Sequence, residues 1–103
     1  MKFSINLSGK TLYTFMRECG YAPQEKLVFH RFISGRRYPK FHMYASVSPD
    51  KKTAALNLHL DQKRPSYKGS RAHSAEYAGP VVEAETKRIR LQSDASVTEE
   101  YRA

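Results

Sequence analysis

The sequence predicts an α+β fold in which a helix, a three-stranded antiparallel meander and a second helix follow one another. Three observations predict it: an early apolar stripe of helical period, three apolar runs separated by turn residues, and a helical segment after Pro80. Phe3, Ile5 and Leu7 alternate, which predicts a short extra strand at residues 2–7. Because one face of the central strands is apolar, both helices are expected to pack on that face.

The first helix is delimited by residues typical of helix ends. Ser8 is a good N-cap, Gly20 is typical of a helix terminus, and Pro23 prevents continuation. Four apolar residues between them share one helix face: Leu12, Phe15, Met16 and Cys19. This stripe is typical of core packing, so Cys19, the single cysteine, is expected to be a buried residue rather than a nucleophile or part of an internal disulfide.

Two consecutive hairpins are expected in the middle of the chain. Strands are predicted at residues 27–33, 41–47 and 53–61, because aromatic and β-branched residues are concentrated there. The turns between them, at residues 34–39 and 48–52, contain Gly, Pro and Asp.

The register of the second hairpin follows from its apolar pattern. If Ser48 pairs with Thr53, the inward pairs are all apolar: Phe41 with Leu60, Met43 with Leu58, Ala45 with Leu56, and Val47 with Ala54. The opposite face then carries two directly opposed pairs, His42 with His59 and Tyr44 with Asn57.

The register of the first hairpin is open between two alternatives. Pairing Ile33 with Pro39 places His30 opposite His42 and aligns three histidines across three strands. A shift of one residue removes His30 from this face.

The length of 103 residues is that of one domain, which we assign to residues 1–92. This domain includes a long basic loop at 62–80 and a final helix at 81–92, for which Pro80 suits the first turn. A flexible polar tail is expected at 93–103.

The charge of +8 is unevenly distributed along the chain. Residues 1–75 hold 14 Lys and Arg against 4 Asp and Glu, whereas residues 76–103 hold 4 against 6. A basic body favours a polyanionic partner, although such charge also serves solubility alone. No stretch is apolar enough for a membrane helix and no signal peptide is evident, so we expect a cytoplasmic protein without membrane contact. Nothing in the sequence indicates a cofactor.

The polar sheet face and the basic loop together favour nucleic-acid binding, with RNA more favoured than DNA. Cations meet phosphates and aromatic rings stack on bases, and both kinds of side chain are present here. The candidate binding residues are Lys63, Arg64, Lys68, Arg71, Tyr44 and Tyr67.

The order of elements and the basic charge also resemble the HicA family of small mRNA interferase toxins. Gly20-Tyr21 follows the first helix, as a Gly-aromatic pair does in that family, and His42 corresponds to the family's catalytic histidine. Pro39-Lys40-Phe41-His42 stands where the family has Gly-Ser-His. The resemblance, over residues 8–91, implies a double-stranded-RNA-binding-like fold and a ribonuclease. His42 would then remove the 2′-hydroxyl proton, with His59 or a nearby lysine assisting the leaving group or the phosphate. The chain also looks like short bacterial proteins, which implies no function.

Two other functions remain open from the residues alone. His42, His59 and Asp61, together with His30 or His73, offer nitrogen and oxygen ligands for zinc or a similar ion. Alternatively, the sheet face and its edge strand could bind a protein partner.

Overall fold

The computed structural model describes residues 1–33, 35, 38–62, 75–76 and 78–102. Its elements, in chain order, are β1 (Lys2–Asn6), α1 (Leu12–Glu18), β2 (Ala22–Glu25), β3 (Val28–Phe32), β4 (Lys40–Val47), β5 (Thr53–Asp61), β6 (Ala75–Glu76) and α2 (Pro80–Arg102). The strands form one antiparallel sheet in the order β1-β5-β4-β3-β2, and the short β6 pairs with the end of β5.

The α+β class and the strand at the N-terminus are confirmed, but the three-stranded meander is only the centre of a larger sheet. The meander β3-β4-β5 is flanked by β1 on one side and β2 on the other. The segment of β2, Ala-Pro-Gln-Glu, has no apolar alternation and contains Pro23. It forms an edge strand, where proline is tolerated because one side of the strand needs no partner.

Both helices pack on the same sheet face, as the apolar pattern predicts. One cluster of buried side chains joins the two helices to the inner face of the strands. Its main members are Leu12, Phe15 and Met16 of α1, Val82 and Ile89 of α2, and Phe3, Ile5, Phe29, Phe41, Met43, Leu56, Leu58 and Leu60 of the sheet. Cys19 is also buried in this cluster, as expected.

The start of α1 differs from the prediction. Thr11, not Ser8, is the N-cap, and its hydroxyl oxygen accepts a hydrogen bond from the Thr14 amide at 3.1 Å. Ser8 adopts a positive φ of 52° and donates its amide to Asn6 Oδ1 at 2.7 Å. The N-cap prediction for Ser8 is therefore wrong, because this residue belongs to the turn that leaves β1.

Helix α2 is longer than the pattern predicts. The sequence predicts a helix end at residue 92, whereas the helix continues to Arg102. Neither proline nor glycine interrupts residues 81–102, and the Ser93 hydroxyl ties this part to β1 by bonding the Asn6 amide at 3.0 Å and its carbonyl at 3.1 Å. The flexibility of residues 93–103 stays a prediction.

A buried carboxylate joins α2 to the sheet. Glu85 is 4% exposed and accepts hydrogen bonds from the Tyr21 hydroxyl at 2.6 Å, from Arg31 at 3.0 and 3.2 Å, and from Arg88 at 2.7 and 2.9 Å. Burial alone raises the pKa of this carboxyl, but the hydrogen bonds from Arg88, Arg31 and Tyr21 lower it to about 2. Arg88 also donates to the Cys19 carbonyl at 2.6 Å, so one network connects both helices and β3.

In the part of the chain that the structure describes, no helix is both long and apolar enough to cross a membrane.

Candidate functional site on the outer sheet face

The outer face of the sheet is the face opposite the two helices. Strand alternation turns a consistent set of side chains toward it. The members that form the candidate site are Lys2, Ser4, Gln24, His30, Phe32, Lys40, His42, Tyr44, Ser46, Ala55, Asn57, His59 and Asp61.

The predicted pairing of this face is confirmed for the second hairpin, and the structure decides between the two registers that the sequence left open for the first. His42 lies opposite His59 and Tyr44 opposite Asn57. The first hairpin adopts the register with His30 opposite His42, and the Ile33 amide donates to the Pro39 carbonyl at 3.4 Å. Three histidines therefore form a row across β3, β4 and β5.

Asp61 brings two of these histidines together. Its Oδ2 lies 3.1 Å from His42 Nδ1, and its Oδ1 lies 3.3 Å from His59 Nε2. The side chains are 14%, 6% and 22% exposed for His42, His59 and Asp61 respectively. One potential ligand atom from each residue lies within 4.8 Å of the others. The three residues, here named the His-His-Asp cluster, are thus close enough either to share protons or to hold one ion.

Gln24 completes the surroundings of His42, and sequence reasoning missed it. Its Oε1 lies 2.7 Å from His42 Nε2. Gln24 reaches the outer face because β2 pairs with β3. Since β2 has no strand pattern in the sequence, no local signal identifies this contact.

Aromatic rings surround the cluster. The Tyr44 ring stacks on the His59 ring with centroids 5.4 Å apart and an interplanar angle of 20°, and it lies 5.3 Å from the His42 ring. On β3, Phe32 lies 4.9 Å from His30. Tyr44 and Phe32 are 45% and 44% exposed, so both offer ring surface to a ligand.

A shallow depression of about 470 Å³ lies beside Tyr44. The small outward side chains Ser46, Ala55 and Ser4 form one row across three strands and leave space beside the adjacent row of Tyr44, Asn57 and Lys2. Lys2 and the three small residues are absent from the sequence-predicted site. The alternation of Phe3 and Ile5 on β1 is the signal that could have placed Lys2 and Ser4 on this face.

Two of the three histidines have lowered pKa values. Burial lowers the pKa of His59, while nearby Asp61 raises it and His42 lowers it. Burial also lowers the pKa of His30, with Lys40 and His42 adding to the effect. Within the described residues, His30 Nδ1 is buried and has no hydrogen-bond partner. Burial therefore favours the neutral form of both imidazoles.

The predicted loop residues lie outside the described part of the chain: Lys63, Arg64, Tyr67, Lys68, Arg71 and His73. The residues that flank this segment belong to the sheet. β5 ends at Asp61, and Ala75 of β6 pairs directly with it. The segment therefore leaves and returns at the corner of the sheet where the His-His-Asp cluster lies.

Cys19 does not contribute to this face. Burial raises the pKa of its thiol to about 11, so it is protonated at neutral pH.

Comparison with protein-family models, with curated proteins and with solved structures finds no match. The resemblance to HicA toxins therefore stays an expectation from the order of elements and from His42.

Proposed function

We propose that this protein binds single-stranded nucleic acid, with RNA preferred, on the outer sheet face. The observation that carries the proposal is an exposed tyrosine ring beside a depression large enough for a small planar ligand. Tyr44 is 45% exposed, and the depression measures about 470 Å³. Exposed aromatic rings on a sheet are a common means of stacking unpaired bases, and unpaired bases are the usual target of sequence-specific RNA recognition.

The groups around the depression fit the parts of a nucleotide. The Tyr44 ring is supported on one side by His59 at 5.4 Å, which leaves its exposed surface for a base. Asn57 offers an amide that can both donate to and accept from a base edge. Lys2 lies at the margin, where an ammonium can meet a phosphate.

Further cations and a second ring extend this surface along the sheet. Phe32 is 44% exposed, and Lys40 is paired directly with it on β4. Tyr44 pairs with Val28 of β3, and Phe32 follows Val28 by four residues on the same strand. The two rings are therefore offset by about 13 Å along the strand direction. Two rings at this separation would stack on different bases of one strand. The loop cations Lys63, Arg64, Lys68 and Arg71 belong to the segment that begins and ends beside Asp61.

The test is the fluorescence anisotropy of labelled single-stranded RNA, single-stranded DNA and double-stranded RNA titrated with the protein at several salt concentrations. We expect single-stranded RNA to bind with an affinity that falls steeply with salt. Tyr44→Ala should weaken binding by about tenfold, because stacking on one ring is worth roughly 1–3 kcal/mol per base. Tyr44→Phe should restore it, since the ring is retained.

Tyr13→Ala is the matched control. Tyr13 is 41% exposed but lies on α1, on the other side of the sheet. Its replacement should leave RNA affinity unchanged once circular dichroism has shown that the variant is folded. Absence of RNA binding by the wild type at low salt would refute the proposal. The same face would then be a candidate surface for a protein partner.

A further inference from the structure

The His-His-Asp cluster has close to the spacing of a metal site, because one ligand atom from each residue lies within 4.8 Å of the others. Ligand atoms bound at about 2.0–2.1 Å to a tetrahedral zinc ion lie about 3.3–3.4 Å from one another. Asp61 Oδ2 lies 3.1 Å from His42 Nδ1 and Asp61 Oδ1 lies 3.3 Å from His59 Nε2, so small side-chain rotations would bring one ligand atom from each residue around a single ion. The register explains this convergence, because His42 and His59 are directly opposed and Asp61 follows two residues later on the same face.

The surroundings of His42 favour a positive charge. Its Nδ1 faces Asp61 Oδ2 at 3.1 Å and its Nε2 faces Gln24 Oε1 at 2.7 Å, and both oxygens are acceptors. A neutral imidazole has one N–H and can satisfy one of them. Either a second ring proton or a cation between Nδ1 and the Asp61 carboxylate satisfies the other oxygen, and with a bound cation Nε2–H donates to Gln24.

Gln24 thereby has the position of an outer-sphere partner. Histidines that bind metals commonly donate their other ring N–H to an oxygen acceptor, which sets the tautomer and orients the ring. Gln24 Oε1 provides this acceptor at 2.7 Å. Tyr44 holds the plane of the second imidazole by stacking on His59 with an interplanar angle of 20°.

We propose that His42 Nδ1, His59 Nε2 and the Asp61 carboxylate bind one Zn²⁺ ion. Two imidazole nitrogens and a carboxylate oxygen suit zinc better than Mg²⁺ or Ca²⁺, which prefer oxygen ligands. The three side chains are mostly buried but belong to the outer sheet face, so the ion would sit at the sheet surface. A tetrahedral ion held by three protein ligands has one coordination position left for water. This site adjoins the proposed nucleic-acid surface, because Tyr44 stacks on His59, but Zn²⁺ binding does not depend on nucleic acid and is measured without it.

The first test uses the wild-type chain without an affinity tag, after removal of metal with a chelator. Isothermal titration with Zn²⁺ should give one ion per chain, and Co²⁺ as a probe should give a tetrahedral visible spectrum. In ¹⁵N spectra of the imidazole groups, Zn²⁺ should shift His42 and His59 and leave His30 unchanged. Absence of one-to-one binding, or a shift of His30 in place of the other two, would overturn the proposal.

The second test compares variants. Asp61→Asn and His42→Gln keep the side-chain size and should abolish or strongly weaken Zn²⁺ binding, while Gln24→Ala should weaken it roughly tenfold. His30→Ala is the matched control, because His30 is the neighbour of His42 on β3 but does not belong to the cluster. It should bind Zn²⁺ as the wild type does. An equal loss in His30→Ala and His42→Gln would contradict the assigned ligands, and the wild-type titration tests the site even if a variant fails to fold.

Discussion

Replacing the buried Glu85 by glutamine should destabilise the fold in a pH-dependent way. The carboxylate of Glu85 receives the Tyr21 hydroxyl and the guanidinium groups of Arg31 and Arg88, and so connects α2 to β3 and to the end of α1. Glutamine keeps the shape but loses the negative charge. Two arginines would then face a neutral amide, which also places its own N–H groups next to donors.

The magnitude follows from the pKa of Glu85. Its lowering from 4.5 to about 2 corresponds to roughly 3 kcal/mol of stability at neutral pH. Arg31 and Arg88 keep 29% and 44% of their side chains exposed, so solvent screens part of the interaction. We therefore expect Glu85→Gln to lower the free energy of unfolding at pH 7 by roughly 2 kcal/mol.

The pH dependence has a defined sign. A carboxyl whose pKa is lowered on folding contributes its full stability above the unfolded-state value, and this contribution is lost as pH falls toward the folded-state value. For Glu85 the contribution should be complete above about pH 5 and should decline between pH 4.5 and about 2. The difference between wild type and Glu85→Gln should shrink over the same range.

Urea unfolding followed by circular dichroism at pH 7, 5, 4 and 3 measures this difference. Glu18→Gln is the matched control, because Glu18 pairs with Lys10 at 2.8 Å while 39% of its side chain is exposed. Its replacement should change stability by less than about 1 kcal/mol at pH 7. Equal stability of Glu85→Gln and wild type at pH 7, or a difference that is the same at pH 7 and pH 3, would refute the reasoning.

The remaining predictions concern the loop, the enzyme hypothesis and the thiol. Replacing Lys63, Arg64, Lys68 and Arg71 by alanine should lower the slope of log affinity against log salt by up to about 3 for single-stranded RNA; an unchanged slope would exclude these cations as phosphate contacts. If the protein is a HicA-like ribonuclease, His42→Ala should stop RNA cleavage but leave RNA binding intact, and lack of cleavage by wild type would remove that hypothesis. Because burial raises the pKa of Cys19 to about 11, its alkylation at pH 7 should be slow in the native state and fast in urea; rapid native labelling would contradict the described core.

The central hairpins could be predicted from the sequence because their information is local. Leu56, Leu58 and Leu60 alternate with polar residues, and the partner strand alternates in phase with them. A one-residue slip would put one apolar set on the wrong face, and the four-residue turn that pairs Ser48 with Thr53 selects the register in which His42 and His59 are neighbours. The same argument places Asp61 beside them.

Elements without a periodic pattern could not be predicted in this way. β2 contains Pro23 and no alternating apolar residues, yet it becomes an edge strand because β3 offers an unpaired side. The extension of α2 beyond residue 92 lacks a continuous apolar stripe and is supported by Ser93 bonding to Asn6, a contact across 87 positions. The network around Glu85 likewise joins residues up to 69 positions apart, from Cys19 to Arg88.

By itself, therefore, the sequence determined the α+β class, the core face of the central strands and the pairing of His42 with His59, whereas the structure placed His30 in the same row. Local periodicity and turn spacing contain that information. Only the tertiary structure decided that Gln24 contacts His42 and that Lys2 lies at the edge of a depression beside Tyr44. These contacts depend on which strands become neighbours across the sheet, and the packing of the whole core sets that order.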